Sequence, residues 1–138
     1  IDALKKYMQE QQAYLNVDLK QSEVAVAIGY PTYLLSAIFT HYLKMGYYDF
    51  VNSYRVEQFK QSVSEGKHKK YTLVTLAEKC GFKSKASFFR AFKKFTGTTP
   101  NEYIQQFDKE WPILHIIGGI THLWYRFILL IIKEIKHK

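Results

Sequence analysis

Apolar residues recur every three or four positions along most of the chain, and no segment alternates polar and apolar over the length of a strand. Helical period without strand period predicts an all-α fold. Across residues 3–15, Leu4, Tyr7, Met8, Tyr14 and Leu15 share roughly one face, and Asp2 is placed to cap the helix. Val24, Ala25 and Ile28 repeat likewise in a helix expected over 20–28, and Asp18 lies just before it. Gly29, Tyr30 and Pro31 form the next turn, because proline cannot continue a helix but suits the start of one. The helix expected over 32–43 buries Leu34 or Leu35, with Ile38 and Phe39. A longer helix over 48–64 spaces Phe50, Val51, Tyr54, Phe59 and Val63 for burial. After a polar, basic loop from Ser64 to Lys70, Thr72 can cap a helix over 73–80 that turns Leu73, Leu76 and Ala77 inward. A helix over 84–95 carries Phe88, Ala91, Phe92 and Phe95, Gly97 ends it, and Pro100 opens a short helix through Phe107.

Two stretches repeat each other about 52 residues apart: Glu23 to Tyr30 followed by Pro31 to Phe39, and Thr75 to Phe82 followed by Lys83 to Phe92. Each has a short apolar helix, a terminal glycine, an aromatic residue and a second helix with a core phenylalanine. Such a glycine takes the positive φ that ends a helix, and a second helix set steeply to the first can enter a DNA major groove. With one extra residue in the second copy, Asp49-Phe50-Val51 also aligns with Glu102-Tyr103-Ile104, so the duplication extends beyond the turns. The expected fold is two helix-turn-helix (homeodomain-like) subdomains joined by a linker helix, plus an apolar helical extension at the C-terminus. The expected divisions are 1–46, the linker helix and loop 47–66, the second subdomain 67–108 and the extension 109–138.

A chain of 138 residues suits one domain or two small, rigidly joined subdomains, and its formal charge of +8 favours a polyanionic partner. Charge alone equally suits RNA or an anionic membrane; its distribution is more informative. From Asp18 to Gly46 two basic residues balance two acidic ones. From Lys67 to Gly97, nine basic residues face only Glu78, a net of +8. The single Cys80 excludes an internal disulfide and reads as a small buried hydrophobe in a reducing compartment. The chain begins at Ile1 within a helical pattern and reads as a fragment.

The second copy contains Leu76-Ala77, Gly81-Phe82, Phe88, Arg90, Phe92-Lys93-Lys94, Gly97, Pro100 and Tyr103 in one ordered series. This series resembles the C-terminal DNA-binding module of the AraC/XylS transcription regulators. The first copy, ending in Asp49-Phe50-Val51-Asn52 and Arg55, resembles that family's first helix-turn-helix. The resemblance covers about residues 3–107. It implies a seven-helix module that binds promoter DNA sequence-specifically and recruits RNA polymerase, in the cytoplasm at the nucleoid. Two departures stand out. The first recognition helix has no Arg or Lys, with Ala37 where the family often places a base-contacting Arg, and nothing after Asp108 matches.

On the second recognition helix the candidate DNA contacts are Lys83, Lys85, Ser87, Phe89, Arg90, Lys93 and Lys94. The Arg90 fork suits guanine O6 and N7, whereas Lys93 and Lys94 suit phosphates, which position without specifying. Phe89 lies off the core face, for a thymine methyl or for packing on the linker helix. Thr72 and Ser84 stand at helix N-termini, where backbone N–H groups meet phosphates. On the first helix the exposed set is Thr32, Tyr33, Ser36, Ala37 and Thr40, which offers hydroxyl and van der Waals contacts but no charge. The second helix-turn-helix is therefore expected to discriminate more strongly.

From Pro112 to Ile132 the chain is as apolar and as long as a membrane span, yet it holds His115, His122, Arg126 and Gly118-Gly119. An amphipathic helix that packs, self-associates or lies on a membrane fits better, so membrane tethering of a full-length protein stays open. The competing functional class is a protein-interaction or membrane-surface module on a degenerate helix-turn-helix scaffold. An enzyme is not expected: there is no Gly-rich phosphate loop or evident carboxylate pair, and the histidines lack metal-ligand spacing. No cofactor or small-molecule site is expected.

Overall fold

A computed structural model describes residues 1–116 and Ile131, with side chains to residue 110 and at Ile131. Among these residues every regular element is helical. In chain order they are α1 (Asp2–Gln11), a 3₁₀ turn (Ala13–Leu15), α2 (Gln21–Ala27), α3 (Thr32–Ala37, running on as a π-type segment Ile38–Leu43) and α4 (Tyr47–Ser64). A second 3₁₀ turn (Lys67–Lys69), α5 (Leu73–Lys79), α6 (Lys85–Thr96) and α7 (Pro100–Ile116) follow. Ile1–Pro100 forms one compact body, and the chain from Asn101 onward belongs to another.

Three boundaries differ from the sequence expectation. The helix expected over 3–15 stops at Gln11, because Gln12 takes a left-handed conformation (φ 48°) and turns the chain into the 3₁₀ segment. The turn releases the Tyr14 and Asn16 carbonyls from a helical ladder for another partner, described below. Asp2 lies inside α1 rather than capping it; Ile1 holds the cap position with no side-chain hydrogen bond. The last helix runs past Phe107 to Ile116. The tail readings on Gly118, Gly119, His122 and Arg126 fall outside the described residues, as do the side chains of Pro112 and His115.

The repeat appears in the hydrogen bonds themselves. At the end of α2, Ile28 N donates to Val24 O, Gly29 N to Val26 O and Tyr30 N to Ala25 O. At the end of α5, Cys80 N, Gly81 N and Phe82 N make the same three bonds to Leu76 O, Glu78 O and Ala77 O, 52 residues later. The bond from residue six back to residue one is the Schellman closure, and it requires the left-handed glycine, here Gly29 (φ 75°) and Gly81 (φ 97°). Between α2 and the helix Thr32–Leu43 the chain turns by 111°, within the range of helix-turn-helix pairs.

Each helix-turn-helix has its own core, and α4 contributes to both. Leu4, Met8, Tyr14, Leu19, Val24, Ala25, Leu35, Phe39, Tyr47, Phe50 and Val51 form the first. In the second, Phe59 of α4 meets Phe88 and Phe92 with ring centroids 4.8 and 5.4 Å apart, and Phe82 meets Phe88 at 5.1 Å. Leu35, rather than Leu34, is the residue α3 buries completely, while Leu34 is 38% exposed. Phe95 lies at the exposed edge of α6 and not in the core. Cys80 is buried, as expected, and burial pushes its thiol up to about 11.

Candidate nucleic-acid interface

Local chemistry sets where α6 begins. Ser84 Oγ accepts from Ser87 N at 3.1 Å, so the cap fixes the first turn and aims the following side chains. Phe88, Ala91 and Phe92 face the core, which leaves Lys85, Arg90 and Lys93 on the exposed side. Among the described residues the side chains of Arg90 and Lys93 make no ion pair or hydrogen bond, so both charges are available to a partner. Lys85 Nζ lies 5.4 Å from the Phe89 ring centroid, and that half-buried ring meets Phe88 edge-on at 5.5 Å. A cation over an apolar ring forms a compact surface element.

Two of the expected contacts are already engaged within the protein. Lys83 Nζ pairs with Asp18 Oδ1 at 3.0 Å, and Lys94 Nζ with Asp49 Oδ2 at 2.7 Å. Both bridges are solvent-exposed, so each can exchange its carboxylate for a phosphate at small cost. Ser87, a candidate contact, is half-buried, and its hydroxyl donates to Ser84 O at 2.9 Å. Thr72 Oγ1 accepts from Thr75 N at 3.2 Å and caps α5, as the sequence indicates.

The first recognition helix has a different surface. Pro31 starts it with fixed φ and no side-chain cap. Tyr33 is 76% exposed, beside exposed Thr32, Ser36 and Thr40. Ser36 Oγ donates to Thr32 O and accepts from Gln21 Nε2 at 2.8 Å, and Thr40 Oγ1 donates to Ser36 O. Their hydroxyl protons are therefore committed to the helix, which leaves oxygen lone pairs and methyl surface outward. Ala37, expected exposed, is half-buried.

A feature that periodicity did not single out lies between the two recognition helices. Arg55, near the middle of α4, is buried at 7% exposure. Its Nε donates to Tyr14 O at 2.7 Å, one terminal nitrogen to Asn16 O at 2.8 Å and the other to Asn52 Oδ1 at 3.2 Å. The guanidinium carbon stands 5.9 Å from the Phe82 ring centroid. Burial lowers the Arg55 pKa from its ordinary value, and these three oxygens compensate for lost hydration. A single arginine in a polar-looking stretch carries no periodic signal. Only the match to the family series marked it.

Cation-rich surface also surrounds Tyr71, whose ring lies 4.9 Å from Lys79 Nζ and 5.5 Å from Lys70 Nζ. Among the described residues no cluster of three His, Cys, Asp or Glu is arranged to hold a metal ion. No single helix among them is long and apolar enough to cross a membrane.

Residues 24–106 match the family described as a helix-turn-helix domain. An uncharacterized HTH-type transcriptional regulator of Staphylococcus aureus strain COL is 36% identical over 90 residues, covering 65% of this chain and 12% of its own length. The uncharacterized HTH-type regulator YtdP of Bacillus subtilis is 33% identical over 89 residues, 64% of this chain and 11% of its own length. The chain thus spans about an eighth of the length of these curated relatives. A solved structure of a Listeria innocua protein of unknown function aligns with a TM-score of 0.62 and 25% identity, over 75% of this chain and 93% of that one. The C-terminal domain of AraT, a response regulator from Geobacillus stearothermophilus, aligns with a TM-score of 0.61 over 77% of this chain and 86% of its own, and at 21% identity it speaks for the fold alone.

Proposed function

Because the chain belongs to the AraC-type helix-turn-helix transcription regulators, we propose that it binds promoter DNA sequence-specifically through two recognition helices in successive major-groove segments. The observation that carries this reading is the duplicated Schellman-closed turn, each copy followed by an exposed helix, with one helix packed into both cores. Two helices held on one rigid support suit two groove faces about one helical turn apart (~10 base pairs).

The roles divide by chemistry. Arg90 takes guanine O6 and N7 through its fork. Lys85, Lys93 and, once released from their carboxylates, Lys83 and Lys94 take phosphates. Ser84 and Ser87 at the capped start of α6 and Thr72 at the start of α5 lie beside the backbone. Phe89 offers its exposed edge to a thymine methyl. Thr32, Tyr33, Ser36, Ala37 and Thr40 read by shape, lone pairs and apolar contact, so the first helix discriminates less. Recruitment of RNA polymerase would follow from this binding in a longer protein.

Selection of sites from a random duplex pool tests the proposal. Enrichment of a two-part motif, with one part lost in Arg90→Ala, is the expected result. Binding without a motif, abolished at moderate salt, would leave only an electrostatic contact and refute sequence-specific reading.

A further inference from the structure

We propose that Arg55 is the positioning residue that sets the spacing at which the two recognition helices read DNA. The inference rests on the two-helix reading above and identifies what fixes its register. Three parts of the molecule meet at this one side chain. The carbonyls of Tyr14 and Asn16 belong to the first helix-turn-helix, Asn52 to the linker helix, and Phe82 to the turn that leads directly into α6. Gly81 closes the same junction. A Cβ there would collide with the Tyr14 carbonyl oxygen and stand 2.9 Å from Arg55 Nε. The turn before α6 is therefore pressed against the backbone of the first helix-turn-helix, with the arginine fork across the seam.

The other links across this seam are weaker. Lys83 to Asp18 bridges the same two halves and Lys94 to Asp49 ties α6 to the linker helix, but both are exposed and screened by salt. The buried fork is directional: two of its nitrogens bond carbonyls two residues apart while its face covers a ring. A lysine carries the same charge but has one ammonium, so it cannot hold both carbonyls and stack.

DNA imposes a strict demand on such a junction. Each base pair inserted between half-sites moves the second by ~3.4 Å along the axis and ~34° around it. Hydrogen bonds fail well within a displacement of that size, so the intact junction admits one spacing. Loosening it lets α6 follow a displaced half-site, at the expense of affinity for the best one.

The test uses the chain with the two-part site selected by the wild type, and with duplexes whose half-sites are moved together or apart by one or two base pairs. Fluorescence anisotropy gives Kd for each spacing with wild type, Arg55→Lys and the milder Asn52→Ala. Wild type should lose about tenfold or more per displaced base pair, the size of a mismatched contact. Arg55→Lys should lose about tenfold at the best spacing and vary by less than about threefold across the series, and Asn52→Ala should fall between the two. General destabilisation would lower binding equally at every spacing and leave the profile steep. A profile in either variant as steep as wild type overturns the role of Arg55, and if Arg55→Lys does not fold, Asn52→Ala decides it alone. A wild type that selects only a single half-site overturns the two-helix reading itself, and this inference with it.

Discussion

Replacing Gly81 with alanine tests the close approach of the turn before α6 to the backbone at Tyr14 and Leu15. Gly81 has φ 97°, and an added Cβ collides with the Tyr14 carbonyl oxygen, stands 2.9 Å from Arg55 Nε and 3.1 Å from Leu15 Cα. Three costs combine. A left-handed conformation costs an L-residue about 1–2 kcal/mol. Forcing backbone apart in a packed site costs about 1–3 kcal/mol. Loss of the buried, charge-assisted bond from Arg55 to Tyr14 costs about 1.5–3 kcal/mol, partly overlapping the second cost. The expected total is roughly 3–6 kcal/mol. Gly97 is the control: its φ is 77°, and a Cβ there meets nothing within 4 Å. Gly97→Ala should cost only the conformational part, about 1–2 kcal/mol. In equilibrium urea unfolding, at a slope of about 2 kcal/mol per molar, the two variants should differ by about 1–2 M in midpoint. If they unfold within ~0.5 kcal/mol of each other, the seam is loose and the argument from close approach is wrong.

Other outcomes follow from the same packing. Leu35→Ala should cost about 2–5 kcal/mol and Leu34→Ala under about 1, because only Leu35 is fully buried; equal losses in thermal unfolding would reverse the assignment. Thr72→Ala and Ser84→Ala should each cost about 1 kcal/mol through the lost cap bond to Thr75 N or Ser87 N, read as a lower denaturation midpoint with no change of slope. The Cys80 thiol is raised from 9.0 to about 11 by burial. The folded state then holds its proton where the unfolded state has lost it. This contribution to stability is complete below pH 9 and lost as pH rises toward 11; Cys80→Ala should flatten that alkaline decline, and a thiol reagent at neutral pH should label the wild type only as fast as it unfolds. Lys93→Ala should reduce the salt slope of DNA binding by about 0.9 without changing the selected motif; a changed motif would make Lys93 a base reader.

Local rules made much of this protein legible in its sequence. The period of the apolar residues located the helices, since an exposed helix must bury one face. Glycine at 29, 81 and 97, threonine at 72 and serine at 84 marked helix ends because each supplies conformational freedom or an acceptor that the backbone needs there. The 52-residue repeat implied two similar turns, and the charge count placed the cations on the second. Tertiary structure decided what depends on partners distant along the chain. The break after Gln11 had no mark, because Gln12 is not a glycine and its left-handed turn is maintained by what Tyr14 and Asn16 bind 39 to 41 residues later. The choice between Leu34 and Leu35 required the direction of α3 against its core. Lys83 and Lys94, read along the chain as free cations, are paired with Asp18 and Asp49, 65 and 45 residues away. Arg55 shows the difference most clearly. Its sequence neighbours describe a helix, while its burial, its two carbonyl partners and the ring against it exist only once both halves of the chain have folded onto α4.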